Sequence, residues 1–261
     1  MAYLGSVPLK KEEDKKISEL FNSICQIYFE KKMGIGTGFF LQVNIQDFPF
    51  NKCLLTNNHV LNIEETSIGN EITLKIKNNE KIIKITKDRR VFTDYDLDYT
   101  CIEILPNDNI KHFFQIDSQI LGNGINTLPG KEIILLNYFN EEHYISSSKI
   151  TNIDNKYFFH NCNSKSGNCG APTINKSSLS IIGIHVGFIH RFRDILKKEK
   201  PIKLIIDNIK KNNIINNLNI ITSISYKKRF KNLVLIGKGN FGTVYKEKKK
   251  EEKKIYLIYL K

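Results

Sequence analysis

Short runs rich in β-branched and aromatic residues, each closed by turn residues, follow one another from Ile27 to Val186, and they restrict the chain to an all-β core. Six runs come first: Ile27–Phe29, Gly38–Val43, Lys52–Leu55, Ile72–Ile76, Ile82–Ile85 and Thr100–Ile104. Pro106-Asn107-Asp108-Asn109 reads as a crossover linker. Seven more runs follow: Phe113–Ile116, Glu132–Leu136, His143–Ser146, Lys149–Thr151, Tyr157–Phe159, Pro172–Ile174 and Ile181–Val186. Two such sets imply two antiparallel barrels, or one sandwich. Helical periodicity flanks them. Ile17, Leu20, Phe21 and Ile24 recur at helical spacing within Glu12–Cys25, and Ile202, Ile205, Ile206 and Ile209 form an apolar stripe within Pro201–Leu218. The expected organisation is an N-terminal helix over 1–25, a first barrel over 26–110, a second over 111–200, a helical linker over 201–225 and a separate segment over 226–261.

Three local contexts carry chemistry, in a fixed order. Leu55-Thr56-Asn57-Asn58-His59-Val60 offers a histidine, Asp98-Tyr99-Thr100-Cys101-Ile102 an aspartate at the head of an apolar strand, and Gly167-Asn168-Cys169-Gly170-Ala171-Pro172 a cysteine in a glycine-rich turn. Acyl transfer needs a nucleophile, a proton acceptor and donors for a developing oxyanion. A thiol with an ordinary pKa of about 8.5 is mostly protonated at neutral pH and needs a basic partner. Asp94, Asp96 and Asp98 crowd one loop; Asp98 fits best because the residues after it alternate as a strand, with Asp96 the second choice.

These contexts resemble the chymotrypsin-like protease family, most closely its cysteine-nucleophile branch, the picornavirus-like main proteases and their trypsin-like relatives. The resemblance covers about residues 26–190, and Gly36-Thr37-Gly38-Phe39-Phe40 and Gly183-Ile184-His185-Val186-Gly187 belong to it as well. It implies a double antiparallel β-barrel and a cysteine endopeptidase acting on protein or peptide substrates. Cys169 would be the nucleophile, His59 the base and Asp98 the orienting carboxylate, with the N–H groups of Gly167 and Cys169 as oxyanion hole. His185, Ser164 and Gly187 would line the pocket for the residue before the scissile bond; a neutral His185 and Ser164 as paired donors imply Gln or Glu there. His112, His143, His160 and His190 receive no role, and no histidine falls in a metal-ligand spacing.

From about Tyr226 the pattern changes. Leu235-Ile236-Gly237-Lys238-Gly239-Asn240-Phe241-Gly242-Thr243-Val244-Tyr245-Lys246 resembles the glycine-rich loop that opens a protein kinase domain. That resemblance implies a β-hairpin in which Gly237, Gly239, Phe241, Gly242 and Val244 would meet a nucleotide. Without the catalytic loop and metal-binding aspartate of such a domain, weak or no ATP binding and no phosphorylation are expected. The competing reading of the whole chain is a kinase fragment carrying a regulatory or inactive protease-like domain.

Composition bears on partners. Forty Lys+Arg against 27 Asp+Glu give net +13, a balance that suits nucleic acid. Runs such as Lys210-Lys211-Asn212-Asn213-Ile214-Ile215 point instead to a Lys/Asn/Ile-rich compositional bias. No stacking aromatics interleave the basic runs, so nucleic-acid binding is not expected. Five cysteines without framework spacing argue against disulfides and zinc, and for a reducing, cytoplasmic setting. No cofactor, signal peptide or membrane span is expected.

Overall fold

The computed structural model describes residues 2–3, 11–29, 32–139, 142–164, 167–191, 194–214, 233–239, 242–247 and 255–256. The chain divides into two units, Met1–Ile209 and Lys210–Lys261. The first unit opens on a two-residue strand β1 (Ala2–Tyr3) and helix α1 (Lys11–Leu20). Then come β2 (Ile24–Phe29), β3 (Lys32–Gln42), β4 (Lys52–Thr56), β5 (Glu71–Ile76), β6 (Asn79–Lys84), β7 (Val91–Asp94) and β8 (Tyr99–Glu103). These seven form one antiparallel sheet in the order β6-β5-β2-β3-β4-β8-β7. After the short helix α2 (Ser118–Asn123) follow β9 (Glu132–Phe139), β10 (Glu142–Ile153), β11 (Phe158–His160), β12 (Pro172–Asn175), β13 (Ile181–Arg191) and β14 (Asp194–Pro201). They run β10-β11-β14-β13-β12-β9, and the β9–β10 pairing closes the ring into a barrel to which β1 adds a parallel strand. A closed ring beside a separate sheet answers the choice left open above: this is a pair of barrel-like sheets, not one sandwich. Helix α3 follows at residues 202–214.

Both faces of the central strands are buried, which is why they read as unbroken apolar runs. Side chains alternate between faces along a strand. Cys25, Ile27, Phe40, Leu54 and Ile102 therefore pack inside the first sheet with Ile72, Leu74 and Ile83. Ile24, Phe39, Leu41, Leu55 and Cys101 face the other way, into a larger core shared with Ile133–Leu136, Ile174, Ile181, Ile182 and Ile184 of the second barrel. Ile17 and Phe21 from the N-terminal helical segment and Ile202, Ile205, Ile206 and Ile209 from α3 seal that core.

Three local expectations differ from the structure. The helix expected to reach Cys25 ends at Leu20, with a single 3-10 turn over Phe21–Ser23. Ile24 and Cys25 instead pair with Phe39 and Gly38, a ladder that helical spacing at Ile24 concealed. The runs His143–Ser146 and Lys149–Thr151 are one strand, because Ser147 and Ser148 sit in register with Ile134 and Ile133 and are not a turn. Phe113–Ile116 makes only isolated bridges, Leu41 to Phe114 and Ile116 to Ile181. Strand β14, within Asp-Ile-Leu-Lys-Lys-Glu-Lys-Pro, was not anticipated at all. Among the described residues no helix is long and apolar enough to cross a membrane. In the second unit β15 (Leu233–Gly239), β16 (Gly242–Glu247) and β17 (Ile255–Tyr256) form an antiparallel sheet. Gly237, Gly239, Gly242 and Val244 lie on its first two strands, and Phe241 lies outside the described residues.

Strand β14 carries an unusual buried cation. Lys200 is fully buried, its Nζ has no hydrogen-bond partner, and the Tyr157 ring lies 4.0 Å away. Burial pulls its pKa down from 10.5 to about 8; Lys156 pushes the same way and Asp98 opposes. Between those two pH values the unfolded chain binds more protons than the folded one, so stability should rise with pH across that window. Lys200→Met, of similar length without the charge, should raise stability at pH 7 by about 1–3 kcal/mol. In chemical denaturation the gap between the two proteins should close between pH 8 and 10.5; a gap independent of pH would contradict this account.

Candidate active site

The histidine, the aspartate and the cysteine come from three different connections, each fixed by its own hydrogen bonds. After β4, the chain turns through Asn57–Leu61, where the N–H groups of Val60 and Leu61 both donate to the Asn57 carbonyl (3.2 and 3.0 Å). Between β7 and β8, Asp94 caps a second turn by accepting from the Leu97 N–H at 2.8 Å. This turn leaves Asp98 at φ +51°, a conformation that a short polar side chain tolerates better than most. Asn57 ties the two turns together, its amide donating to the Asp98 carbonyl at 3.0 Å, and Thr100 donates to the Leu61 carbonyl.

This arrangement places His59 Nδ1 2.8 and 3.0 Å from the two carboxylate oxygens of Asp98, and the His59 N–H donates to the same group at 3.1 Å. Asp98, the preferred of the two candidate aspartates, is the carboxylate that meets His59. With Nδ1 so engaged, the other ring nitrogen is left for Cys169. Hydrogen bonds to Asp98 and then to Cys169 favour the protonated ring and raise its pKa from 6.5 to about 10, against partial burial that lowers it.

Cys169 sits half-buried in the glycine turn ahead of β12, with Sγ 3.8 Å from the Val186 carbonyl. Three successive carbonyls of this turn are occupied. Gly167 accepts from the Thr37 hydroxyl (2.8 Å), Asn168 from the Ala171 N–H (2.9 Å) and Cys169 from the Thr37 N–H (2.9 Å). Among the described residues no acceptor is bonded to the N–H of Gly167 or Cys169. Free donors beside a nucleophile are what an oxyanion requires. Gly170 adopts φ +90°, and a Cβ there would stand 1.9 Å from the Thr37 carbonyl oxygen. Glycine is therefore the residue this close approach admits.

The expected pocket residues are placed unequally. Gly187 has φ +142° and faces open space. Ser164 is half-buried. His185 is buried, and its Nδ1 lies 2.6 Å from Glu199 Oε1. His160 Nε2 lies 2.7 Å from the same oxygen, and Thr173 donates to Oε2 at 2.6 Å. Burial pushes the Glu199 pKa up, but the two histidines outweigh it and hold it at about 2. An ionised carboxylate only accepts, so His185 donates from Nδ1. Its Nε2 is then an acceptor in the neutral ring and a donor only in the doubly protonated one, which differs from the neutral donor implied by the sequence resemblance. His160 also departs from expectation: having been given no role, it accepts from the Cys162 N–H at 3.0 Å and donates to Glu199. His160, His185 and Glu199 are the one group among the described residues with ligand atoms close enough for a metal. Their separations of 2.6–2.7 Å are those of hydrogen bonds, so the cluster is satisfied without an ion.

No family model matches this sequence, and no curated protein matches it. Solved structures do. A serine endoprotease from Yersinia pestis superposes with a TM-score of 0.55 at 16% identity, covering 79% of this chain and 68% of its own. Rv3671c from M. tuberculosis H37Rv, in an inactive form, gives 0.49 at 14% identity over 71% of this chain and 83% of its own. The serine protease of human pathogenic astrovirus gives 0.48 at 14% over 69% and 90%. At such identities the Yersinia likeness establishes the fold, and the fold is the chymotrypsin-like double β-barrel.

The five thiols should differ in reactivity. Burial raises the pKa of Cys25, Cys101 and Cys162, the last to about 12, and Cys53 is fully buried, whereas Cys169 is partly open and interacts with His59. Competitive labelling of the folded protein with iodoacetamide, read by mass spectrometry, should modify Cys169 first. His59→Ala should slow that site and leave the other four unchanged. Equal rates at all five would remove the case for a poised thiol.

Proposed function

We propose that the first unit is a cysteine endopeptidase in which Cys169 attacks a peptide carbonyl. The observation that carries this reading is the His59–Asp98 pair, with Cys169 close enough to the imidazole to favour its protonated form. The Cys169 sulfur would bond to the carbonyl carbon as the π pair moves to oxygen, which the N–H groups of Gly167 and Cys169 would receive. His59 would pass its proton to the departing amine, then take one from water as that water cleaves the thioester. Asp98 would hold the ring orientation and stabilise its charge throughout. The Yersinia neighbour is a serine endoprotease; cysteine at the equivalent turn would run the same acyl transfer through a thioester. All five cysteines are free, which suits a reducing cytoplasm.

For the residue before the scissile bond the reading is Gln or Glu, met by His185 Nε2, Ser164 and the open wall at Gly187. His185, held by Glu199 through Nδ1, would turn its Nε2 to the carboxylate or amide group of that substrate residue. Cleavage of a peptide library should show that preference, and Cys169→Ala should lower turnover by about 10⁴-fold or more. The alkaline limb of kcat/KM should fall near pH 10, where His59 loses its proton, and Asp98→Asn should move it down towards the ordinary 6.5. Uncut peptides, or an unmoved limb, would refute the assignment.

The second unit supports a separate reading. Its hairpin sets Gly239 opposite Gly242, the strand–turn–strand order of a loop that covers nucleotide phosphates. We propose weak or no ATP binding for it. Calorimetry with Mg-ATP on the 261-residue chain should give little heat, and micromolar affinity lost on Gly239→Asp would reverse that conclusion.

A further inference from the structure

Thr37 belongs to the first barrel, 130 residues from the turn it touches, yet all its polar groups serve that turn or its surroundings. It is fully buried in β3. Its hydroxyl donates to the Gly167 carbonyl at 2.8 Å and its N–H to the Cys169 carbonyl at 2.9 Å. Its own carbonyl accepts from the Thr56 hydroxyl at 2.8 Å. A peptide unit is planar, so fixing a carbonyl fixes the N–H on its far side. The Cys169 carbonyl held by Thr37 sends the Gly170 N–H to the His185 carbonyl at 2.9 Å. The Asn168 carbonyl held by Ala171 sends the Cys169 N–H to the opposite side, where no acceptor among the described residues meets it. Gly167, at φ +89°, is the loosest point of the turn, since glycine occupies either sign of φ at little cost. The bond from the Thr37 hydroxyl fixes the Gly167 carbonyl, and with it the Asn168 N–H on the far side of the same peptide.

We infer that Thr37 is a positioning residue for oxyanion stabilisation: its hydroxyl holds the carbonyl of the Gly167–Asn168 peptide, the unit that links the Gly167 and Cys169 N–H groups, and so sets the direction of these two donors relative to each other. This rests on the peptidase reading. It also makes a distinction within that reading, because the His59–Cys169 pair does not touch the Thr37 hydroxyl. Losing the hydroxyl should leave the thiol's reactivity intact while weakening everything that places an oxyanion in the turn.

Thr37→Val and Thr37→Ser in the full chain test this with two probes. Iodoacetamide alkylates Cys169 by displacing iodide at carbon and forms no oxyanion. A panel of peptide aldehydes does form one: sulfur bonds to the carbonyl carbon, the π pair moves to oxygen, and the resulting hemithioacetal takes its proton from His59. In Thr37→Val the aldehyde affinity and peptide turnover should fall about 10- to 100-fold, with alkylation within about twofold of wild type and unchanged far-UV circular dichroism. Thr37→Ser, which keeps the donor, should restore both. Equal aldehyde affinity in wild type and Thr37→Val would overturn the inference alone. So would a parallel loss of alkylation and aldehyde binding, which would mark Thr37 as merely structural. A wild type that alkylates at Cys169 but binds no aldehyde would overturn the peptidase reading and this inference with it.

Discussion

The two barrels meet backbone to backbone where Gly170 approaches Thr37, at a distance that leaves no room for a Cβ. Much of the site hangs from that contact. On one side, Thr37 binds two carbonyls of the cysteine turn. The same turn continues into β12 and β13 through Gly170 N–H to the His185 carbonyl and His185 N–H to the Ala171 carbonyl. On the other side, Thr56 reaches the Thr37 carbonyl from the end of β4, immediately before the turn that carries His59. The Cys169 turn, the His185 strand and the His59 turn are thus referenced to one residue. A shift at this point would move all three together, which is how a site assembled from two sheets can keep hydrogen-bond tolerances.

Charges in the interior follow from strand alternation. Glu199 and Lys200 are adjacent on β14, both fully buried, and point to opposite faces. Glu199 turns into the second barrel and meets two histidines and a threonine, so every contact favours its ionised form over the neutral one. Lys200 turns the other way, to the face of Tyr157, with no hydrogen-bond partner among the described residues. A cation over a ring recovers part of the lost hydration, but less than a carboxylate would. The first barrel shows the fully paired alternative: Arg89 grips Asp108 through two nitrogens at 2.7 and 2.8 Å and donates to the Lys84 and Glu103 carbonyls as well. In the pairing of β13 with β14, His185 thus stands opposite the interior anion Glu199, and Lys200 stands opposite Ile184.

The orientation of His185 shows why a pocket cannot be read from its own motif. Gly183-Ile184-His185-Val186-Gly187 identifies a histidine on a strand, and the fold sets that strand beside the Cys169 turn. Which nitrogen it presents is decided by Glu199, 14 residues further on, and Glu199 is held in turn by His160, 39 residues back. The Lys-rich run Asp194–Pro201 has neither the alternation nor the β-branched content that marks a strand, so both its strand character and its buried carboxylate were hidden. Asn57 and Thr100 were likewise visible only as neighbours of the histidine and the aspartate, not as the bonds that hold the two turns together.

Local information settled the all-β character, the two sets of strands and the three contexts of His59, Asp98 and Cys169. Strand periodicity, turn residues and side-chain chemistry are properties of short windows, and the glycines flanking Cys169 announce a tight turn wherever they occur. Closure of the second barrel, the contact of Asp98 with His59, the His160–Glu199–His185 cluster and the grip of Thr37 on the cysteine turn were decided only in three dimensions. Each depends on a hydrogen bond or a close approach between segments far apart in the chain, and a residue's type does not reveal which distant partner the packing will bring within about 3 Å.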